Sequence, residues 1–477
     1  MTMSAQKIVE RIAITWTEGR LENVLERQKQ LAALHQSLHR RFDDCARALQ
    51  QDMYEDLDSP ARLAKSEVTA ALDAINSLYT QLNFSDVLAK ERNLKKGANA
   101  ARFLVPLGST LVVQLPSSPI ISTLGPLAAA LAAGSPTIVL GAPSLPATSN
   151  MLGCIILEAL DREAFHFEQS ADVSTCEAFA QAEYATVVLH SLDTSDRIRP
   201  LVLTTNPAVR IIEPYYGIPA GIIDRSVADA IDVVTKRIRL AVQDVPKGNS
   251  SRVPRLFFVD ESIFTSFKNG MQAQREVASI NLDQWLRKQY RGISPRYCTD
   301  QSRKQRIPEL PVVQGAIILT FSSNSEIVLI PTRSSDHTID LLNKINASTG
   351  SQVIYIFAGG KEGFYLGNFI TTSYVYLNDV PVDSLVLTSC RSANATATQG
   401  YYFEDFSEMK VMLQVKASTS QSKEGSPAKL NASRVKQFSG GRMSYFEQGL
   451  ILGATIGIAA LVSAGYVSYR VASTFFV

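Results

Sequence analysis

Residues 105–144 read VPLGSTLVVQLPSSPIISTLGPLAAALAAGSPTIVLGAPS. A short apolar run is followed by a helical stretch of small and apolar residues, and then by a second short apolar run. The same alternation continues outward from this stretch. After Arg102 the runs FLVPLGSTLVVQL, PTIVLGA, ATVVLH, PAVRIIEP, RLFFVDESI, GAIILTF and EIVLIP are separated by helical segments. That order predicts an α/β architecture with parallel strands. No repeat of fixed period is present.

Both ends of the chain differ from this middle. From Gln6 to about Leu82 only Pro60 interrupts stretches with apolar residues at three- and four-residue spacing, such as Leu21, Val24 and Leu25, or Leu31, Leu34 and Leu38, which predicts helices. At the other end GLILGATIGIAALVSAGYVSY, Gly449 to Tyr469, runs 21 residues without a charge. At about 1.5 Å per residue it spans a hydrocarbon core of roughly 30 Å. Lys429, Arg434, Lys436 and Arg442 precede it, and Arg470 with a short apolar remnant follows. The reading is a single-pass tail anchor with the body in the cytosol. The alternative is a buried core helix, but nothing after it in the chain would cover it. Gly449, Gly453 and Gly457 line one face, as a helix contact stripe or as ordinary glycine tolerance in a span. Residues 416–441, KASTSQSKEGSPAKLNASRVKQFSGG, are poor in apolar side chains and read as a flexible tether. If the body is cytosolic, the sequons at Asn346, Asn394 and Asn431 stay unglycosylated.

Composition removes several function classes. The chain has 477 residues, 45% hydrophobic and 19% charged, enough for a large core in two or three lobes. Its 47 basic and 45 acidic side chains leave a net charge of +2, with no field or basic arm suited to nucleic acid. Five cysteines, Cys45, Cys154, Cys176, Cys298 and Cys390, are scattered without a CxxC or Cys/His cluster. Neither a metal site nor a disulfide framework is expected. The charged N-terminus is not a secretory signal, so the body is expected in a reducing compartment.

The order of segments, with the PLAAALAAG core at Pro126–Gly134, resembles the aldehyde dehydrogenase superfamily. Within it, the similarity is to the fatty aldehyde dehydrogenase branch, whose members can carry a C-terminal membrane helix. It extends over roughly residues 7 to 415 and the tail. In that family the stretch quoted above follows the pattern PxGxVLxIxxWNYPxxLxxxPLxxAxAAGNxVxxKPSE. Anchored on Pro119, its Trp-Asn-Tyr falls on Pro116, Ser117 and Ser118, so a hydroxyl at Ser117 replaces the amide that would donate to the oxyanion. The Lys that binds the adenosine ribose falls on Leu140, which has no donor. The FTGSTxxGxxI loop reads HSLDTSDRIRP, with Ser191 in place of a glycine and Asp193 and Asp196 brought toward the pyrophosphate.

Further on, IIEPYYGIPAGIID (211–224) keeps the general-base glutamate as Glu213 but has Tyr215 and Tyr216 for the paired glycines. Aligning VPRLFFVDESI with the strand after the nucleophile puts Ser251 where the family has its Cys. The nearest cysteine, Cys298, is 47 residues away. The family's reaction needs a thiolate to form the thiohemiacetal that expels hydride, and a serine needs a strong paired base to replace it. The acidic pair that grips the nicotinamide ribose is replaced at Phe321 or Ser322. Asn378-Asp379-Val380 survives from the distal motif, while TSCRSANATATQG replaces the loop beyond it.

The resemblance implies a Rossmann-type cofactor domain, an α/β catalytic domain and an oligomerisation segment, followed by the membrane helix. The boundaries are 1–100 for the helical N-terminal part, 101–212 for the cofactor-type domain and 213–385 for the catalytic-type domain. They continue with 386–415 for the return and oligomerisation segment, 416–448 for the tether and 449–469 for the span. In the oligomerisation segment, Tyr401 to Val415 is the candidate strand.

With so many chemical positions altered, the reading is a pseudoenzyme that binds no cofactor. It would act as a membrane-bound partner or scaffold in lipid or secondary-metabolite aldehyde metabolism, as a homodimer or a heteromer with an active relative. The endoplasmic reticulum, mitochondrial outer membrane and peroxisome are the candidate membranes. The alternatives are an active NAD- or NADP-dependent enzyme with a rebuilt site, oxidising a hydrophobic aldehyde, or an unrelated reaction on the same scaffold.

Overall fold

A computed structural model describes residues 5–53, 60–95, 100–190, 192–212, 219–243, 252–278, 315–321, 326–349, 353–381, 385, 400–413 and 445–475. The chain divides into a body, Met1–Lys416, and a C-terminal unit, Ala417–Val477. The body opens with five helices, α1 (Ala5–Thr17), α2 (Val24–Arg40), α3 (Phe42–Met53), α4 (Pro60–Gln81) and α5 (Phe84–Lys95), then strand β1 (Ala100–Pro106).

Strands covered by helices on both faces must be apolar at every position rather than at alternate ones. The three inner strands of the next segment satisfy this apart from one buried threonine at the start of each. The segment runs β2 (Thr110–Val113), α6 (Pro119–Ala133), β3 (Thr137–Leu140), α7 (Pro146–Ala159), β4 (Phe165–Glu168), α8 (Val173–Ala180), β5 (Thr186–Val188), α9 (Leu192–Thr205) and β6 (Arg210–Ile212). β2, β3 and β5 are buried throughout. The five strands form one parallel sheet in the order β4-β3-β2-β5-β6. Helices α2, α3, α4, α6 and α7 pack on one face, and α1, α8 and α9 on the other.

A second sheet follows, from β7 (Ala220–Ile223), α10 (Ile231–Gln243), β8 (Leu256–Asp260), α11 (Phe264–Gly270), β9 (Arg275–Ala278) and β10 (Ile317–Thr320) to β11 (Glu326–Thr332), α12 (Ser335–Thr349), β12 (Val353–Phe357), α13 (Gly360–Phe369) and β13 (Tyr374–Leu377). Its order is β13-β12-β7-β8-β11-β10-β9. The sheet is mixed, because β10 runs antiparallel to both β11 and β9. Too few residues separate Thr320 from Glu326 for the crossover that a parallel neighbour requires. Finally β14 (Ser407–Leu413) pairs antiparallel with β1 in a two-stranded ribbon, matching Phe103 with Lys410 and Leu104 with Met409.

Helix α6 is the packing centre of the body, and every one of its residues is buried. Pro119 begins it, and Gly134, at φ 98°, ends it in the left-handed conformation that favours glycine. Burying both ends leaves amide and carbonyl groups that water cannot reach. At the tail, the Arg27 guanidinium donates from Nη1 to the carbonyls of Ala132 and Ala133 at 2.7 and 2.9 Å. At the head, Glu67 of α4 accepts with Oε1 from the amides of Ile120 and Ile121 at 2.7 and 3.1 Å. Glu67 is 0% exposed, and Oε2 has no partner. Burial pushes its pKa up to about 8, against the two amide bonds that favour the anion.

The C-terminal unit is described as one helix, α14 (Tyr445–Phe475). Its stretch Gly449–Tyr466 is long and apolar enough to cross a bilayer, and its leucines and isoleucines are exposed.

Because the folded pKa of Glu67 lies above its unfolded value of 4.5, its contribution to stability is complete below pH 4.5 and is lost as the pH rises through 8. The decline should be about 1.4 kcal/mol per pH unit in that window. Glu67→Gln, which keeps an acceptor without the titration, should abolish the decline in urea unfolding of the detergent-solubilised chain between pH 6.5 and 8. Glu67→Ala should destabilise by about 1–3 kcal/mol. An unchanged slope in Glu67→Gln would show that Glu67 is not the titrating group.

Candidate functional site

In an open parallel sheet, ligands bind beyond the carboxyl ends of the strands, where successive connections leave in opposite directions. In the five-stranded sheet the chain moves outward from β2 to β3 and β4, then returns to β5 on the other side of β2. The crevice therefore lies between the ends of β2 and β5, at Val113 and Leu189.

His190 bridges that crevice. Its Nδ1 lies 2.6 Å from the carbonyl oxygen of Val113, the last residue of β2. A carbonyl can only accept, so Nδ1 carries the proton and Nε2 is left as acceptor. The hydroxyl of Tyr401 donates to Nε2, and the two rings meet edge to face at 5.8 Å. Both residues are buried. Burial pulls the His190 pKa down to about 4 although the bond to Val113 opposes it, so the ring is neutral at pH 7. Tyr401 reaches this position across α6 at Gly125, where a Cβ would stand 3.2 Å from its ring. Gln114 fastens the floor. Its Nε2 donates to the Pro119 carbonyl and Thr123 Oγ1, and its Oε1 accepts from the Ala142 amide at 2.7 Å.

Helix N-termini facing such a crevice ordinarily hold a phosphate. Here two of them are filled by the chain's own carboxyl groups. Glu67 occupies the head of α6. Asp172 caps α8, accepting from the Thr175 amide at 2.8 Å and the Ser174 hydroxyl at 2.9 Å. These bonds, the Thr175 contacts foremost, hold its carboxyl below the usual range.

A cavity of about 450 Å3 remains beside the crevice, between the ends of β2 and β3 and helices α8 and α9. Val113, Pro116, Leu140 and Ile198 form apolar wall, and Asp172, Glu177 and Asp196 face it with Arg197 as the cation.

The positions singled out by the sequence fall apart spatially. Leu140 ends β3, is buried, and borders the cavity. Ser117 sits half-buried in the turn before α6. Phe321, which with Ser322 stands in place of the family's acidic pair, is a core residue. Its ring is packed in the core of the seven-stranded sheet with Phe257 and Leu319, where a phenyl group gains most from burial. Ser191, Glu213 and Ser251 lie outside the described residues.

Two expectations are corrected. The segment read as a phosphate loop is helical from Leu192, with Ile198 and Val202 four residues apart against the sheet and Asp196 on the cavity wall. In the return segment, Tyr401 is a core residue rather than part of a strand, and among the described residues the strand is Ser407–Leu413, paired with β1 of the same chain. The surviving Asn378 has a structural role. Positioned at φ 58°, it exchanges side-chain hydrogen bonds with both backbone groups of Ala358. Sequence reasoning missed Glu67, Gln114, His190 and Tyr401. His190 alone left a trace, as the polar residue directly after a buried strand.

The backbone matches solved aldehyde dehydrogenases. Against Staphylococcus aureus AldH in a substrate-bound state, the TM-score is 0.61 at 13% identity, covering 88% of this chain and 96% of that one. Against aldehyde dehydrogenase 21 of Physcomitrella patens, in complex with the reaction product succinate, it is 0.59 at 16%, covering 86% and 90%. A mutant aldehyde dehydrogenase C of Pseudomonas syringae, complexed with NAD+ and octanal, gives 0.60 at 14%, covering 86% and 90%. No family model and no curated protein matches the chain. The fold is that of the aldehyde dehydrogenases.

Tyr401→Phe should leave Nε2 of His190 buried without a donor and lower stability by about 1–3 kcal/mol. A double-mutant cycle with His190→Phe, read by urea unfolding, should give a coupling of about 0.5–3 kcal/mol. Strict additivity would mean that the two rings do not interact.

Proposed function

We propose that this chain is a membrane-anchored protein of aldehyde dehydrogenase fold that has given up dinucleotide-dependent oxidation. It acts by binding, as a partner or scaffold beside enzymes that handle hydrophobic aldehydes in lipid or secondary metabolism. The observation that carries this reading is the His190–Tyr401 pair across the switch point, where a dinucleotide would have to enter. The surrounding donors do not fit a diphosphate. Two helix heads are taken by Glu67 and Asp172, Leu140 offers no ammonium group, and the cavity wall carries three carboxyl groups against one cation. Each lost charged hydrogen bond weakens binding by about 1.5–3 kcal/mol. Ser251 at the nucleophile position removes the thiol independently.

The observation favouring an active enzyme is Glu213, a base-type side chain retained in an otherwise altered motif. Turnover separates the two readings. The full chain in phosphatidylcholine nanodiscs should show no saturable NAD or NADP binding and form no reduced cofactor with octanal or hexadecanal. Ser251→Cys alone should not change that. Aldehyde-dependent reduction abolished by Ser251→Ala or Glu213→Gln would overturn the proposal.

The helix Tyr445–Phe475 is proposed to anchor the chain to the endoplasmic reticulum, the mitochondrial outer membrane or the peroxisome, with the body cytosolic. We further propose that the body self-associates, or pairs with an active relative, through the face of the β1–β14 ribbon carrying Leu104, Met409 and Val411. These side chains are 41%, 59% and 49% exposed, and a two-stranded ribbon with an open apolar face is marginal in water. Light scattering of the detergent-solubilised chain should find a discrete dimer that Met409→Glu with Val411→Glu converts to monomer. A dimer unaffected by both changes would place the interface elsewhere.

A further inference from the structure

The opposite face of the same ribbon closes a groove of about 740 Å3 against the end of α1, the turn after it and the tail of α6. The volume lies within the roughly 300–1,000 Å3 of small-molecule sites. Trp16, Leu21, Phe103, Val105 and Met412 make its walls largely apolar. Arg27 and Lys410 are the cations available on its border, where Glu22 is the one carboxylate among the described residues. Arg20, a third, is committed to Glu18 and Asp161 at 2.9 and 3.2 Å.

Arg27 is the unusual member. Its guanidinium is largely buried, and among the described residues it donates only to carbonyl groups, those of Ala132, Ala133 and Glu22. Its Nε has no partner. Buried charges are ordinarily paired with a counter-charge, yet Arg27 makes no ion pair among the described residues. The negative end of α6 compensates it in part. Burial pulls its pKa down to about 10, which leaves it charged at pH 7. Lys410, opposite Phe103 in the ribbon, is exposed and likewise has no ion pair among the described residues.

We propose that this groove binds a single-chain anionic amphiphile, a long-chain carboxylate with its head at Arg27 and Lys410 and its chain along Trp16, Leu21, Phe103 and Met412. The concave apolar wall suits an alkyl chain, and the unpaired cations suit one anionic head. β14, which supplies Lys410 and Met412, is the last strand among the described residues of the body. Single-chain amphiphiles partition reversibly into bilayers, so a protein anchored there meets a supply of them. The inference does not depend on whether the crevice binds a dinucleotide.

The test is photolabelling of the full chain in phosphatidylcholine nanodiscs with a diazirine analogue of palmitate, the adducts being mapped by mass spectrometry. Adducts are expected within residues 15–22, 103–106 or 410–412, competed by palmitate and not by hexadecanol. Lys410→Glu and Met412→Glu, both at exposed positions, should each lower the labelling about tenfold, equivalent to about 1.4 kcal/mol of affinity. Labelling unaffected by both variants, equal competition by hexadecanol, or equal labelling by a diazirine phosphatidylcholine would overturn the proposal. So would adducts confined to the apolar helix, or cross-links between two copies at these residues, which would assign the groove to a second chain.

Discussion

The body depends on burying one helix completely, ends included. A helix of 15 small and apolar residues can lie between a sheet and three other helices only if something other than water satisfies its terminal groups. Glu67 does so at the head and Arg27 at the tail, from helices far away in sequence. These two contacts tie the N-terminal helices to the sheet. Tyr401 adds a third tie by lying on Gly125. The return segment is thereby held at His190, on the carboxyl side of the sheet.

The same ties bear on what the crevice can accept. A helix head with free amides and a gap between strand ends are the elements from which a doubly wound sheet makes a phosphate site. Here the head of α6 serves the core, and the gap holds an imidazole whose two nitrogens are both used. Breaking either of these buried polar contacts would cost about 1–3 kcal/mol for each group left unsatisfied. The groove at the tail of α6 is the converse case, because Arg27 caps the helix there and leaves part of its charge uncompensated.

The sequence made the fold legible where the physics is local. Runs such as IVL and LFFV, apolar at every position, mark strands covered on both faces, and PLAAALAAG marks a helix that must be small to be enclosed. Leu140 ends such a strand and borders the cavity beside the crevice. A family pattern locates Phe321 along the chain but not the direction of its side chain, which the structure places in the core. Glu67, His190 and Tyr401 left little trace, because their partners lie 53, 77 and 211 residues away. No periodicity or short motif records a pairing at that distance.

The two buried titrating groups also make opposing demands on protons. His190 is held neutral, its pKa lowered from 6.5 to about 4. Between those values the unfolded chain binds the proton and the folded chain does not, so this group makes stability rise with pH. Glu67 does the reverse between 4.5 and about 8. From pH 4.5 to 6.5 the two slopes, each about 1.4 kcal/mol per unit, cancel. Above 6.5 only the Glu67 decline remains, and below 4.5 only the His190 loss. Near pH 7 the head of α6 therefore contacts a largely neutral carboxylic acid, whose Oε1 takes the two amide bonds. Neutrality explains how the core tolerates a fully buried Glu67 without a cation, since the ionised form would carry an unpaired charge. Neither the helix head nor the imidazole at the switch point then offers a charge to an incoming ligand.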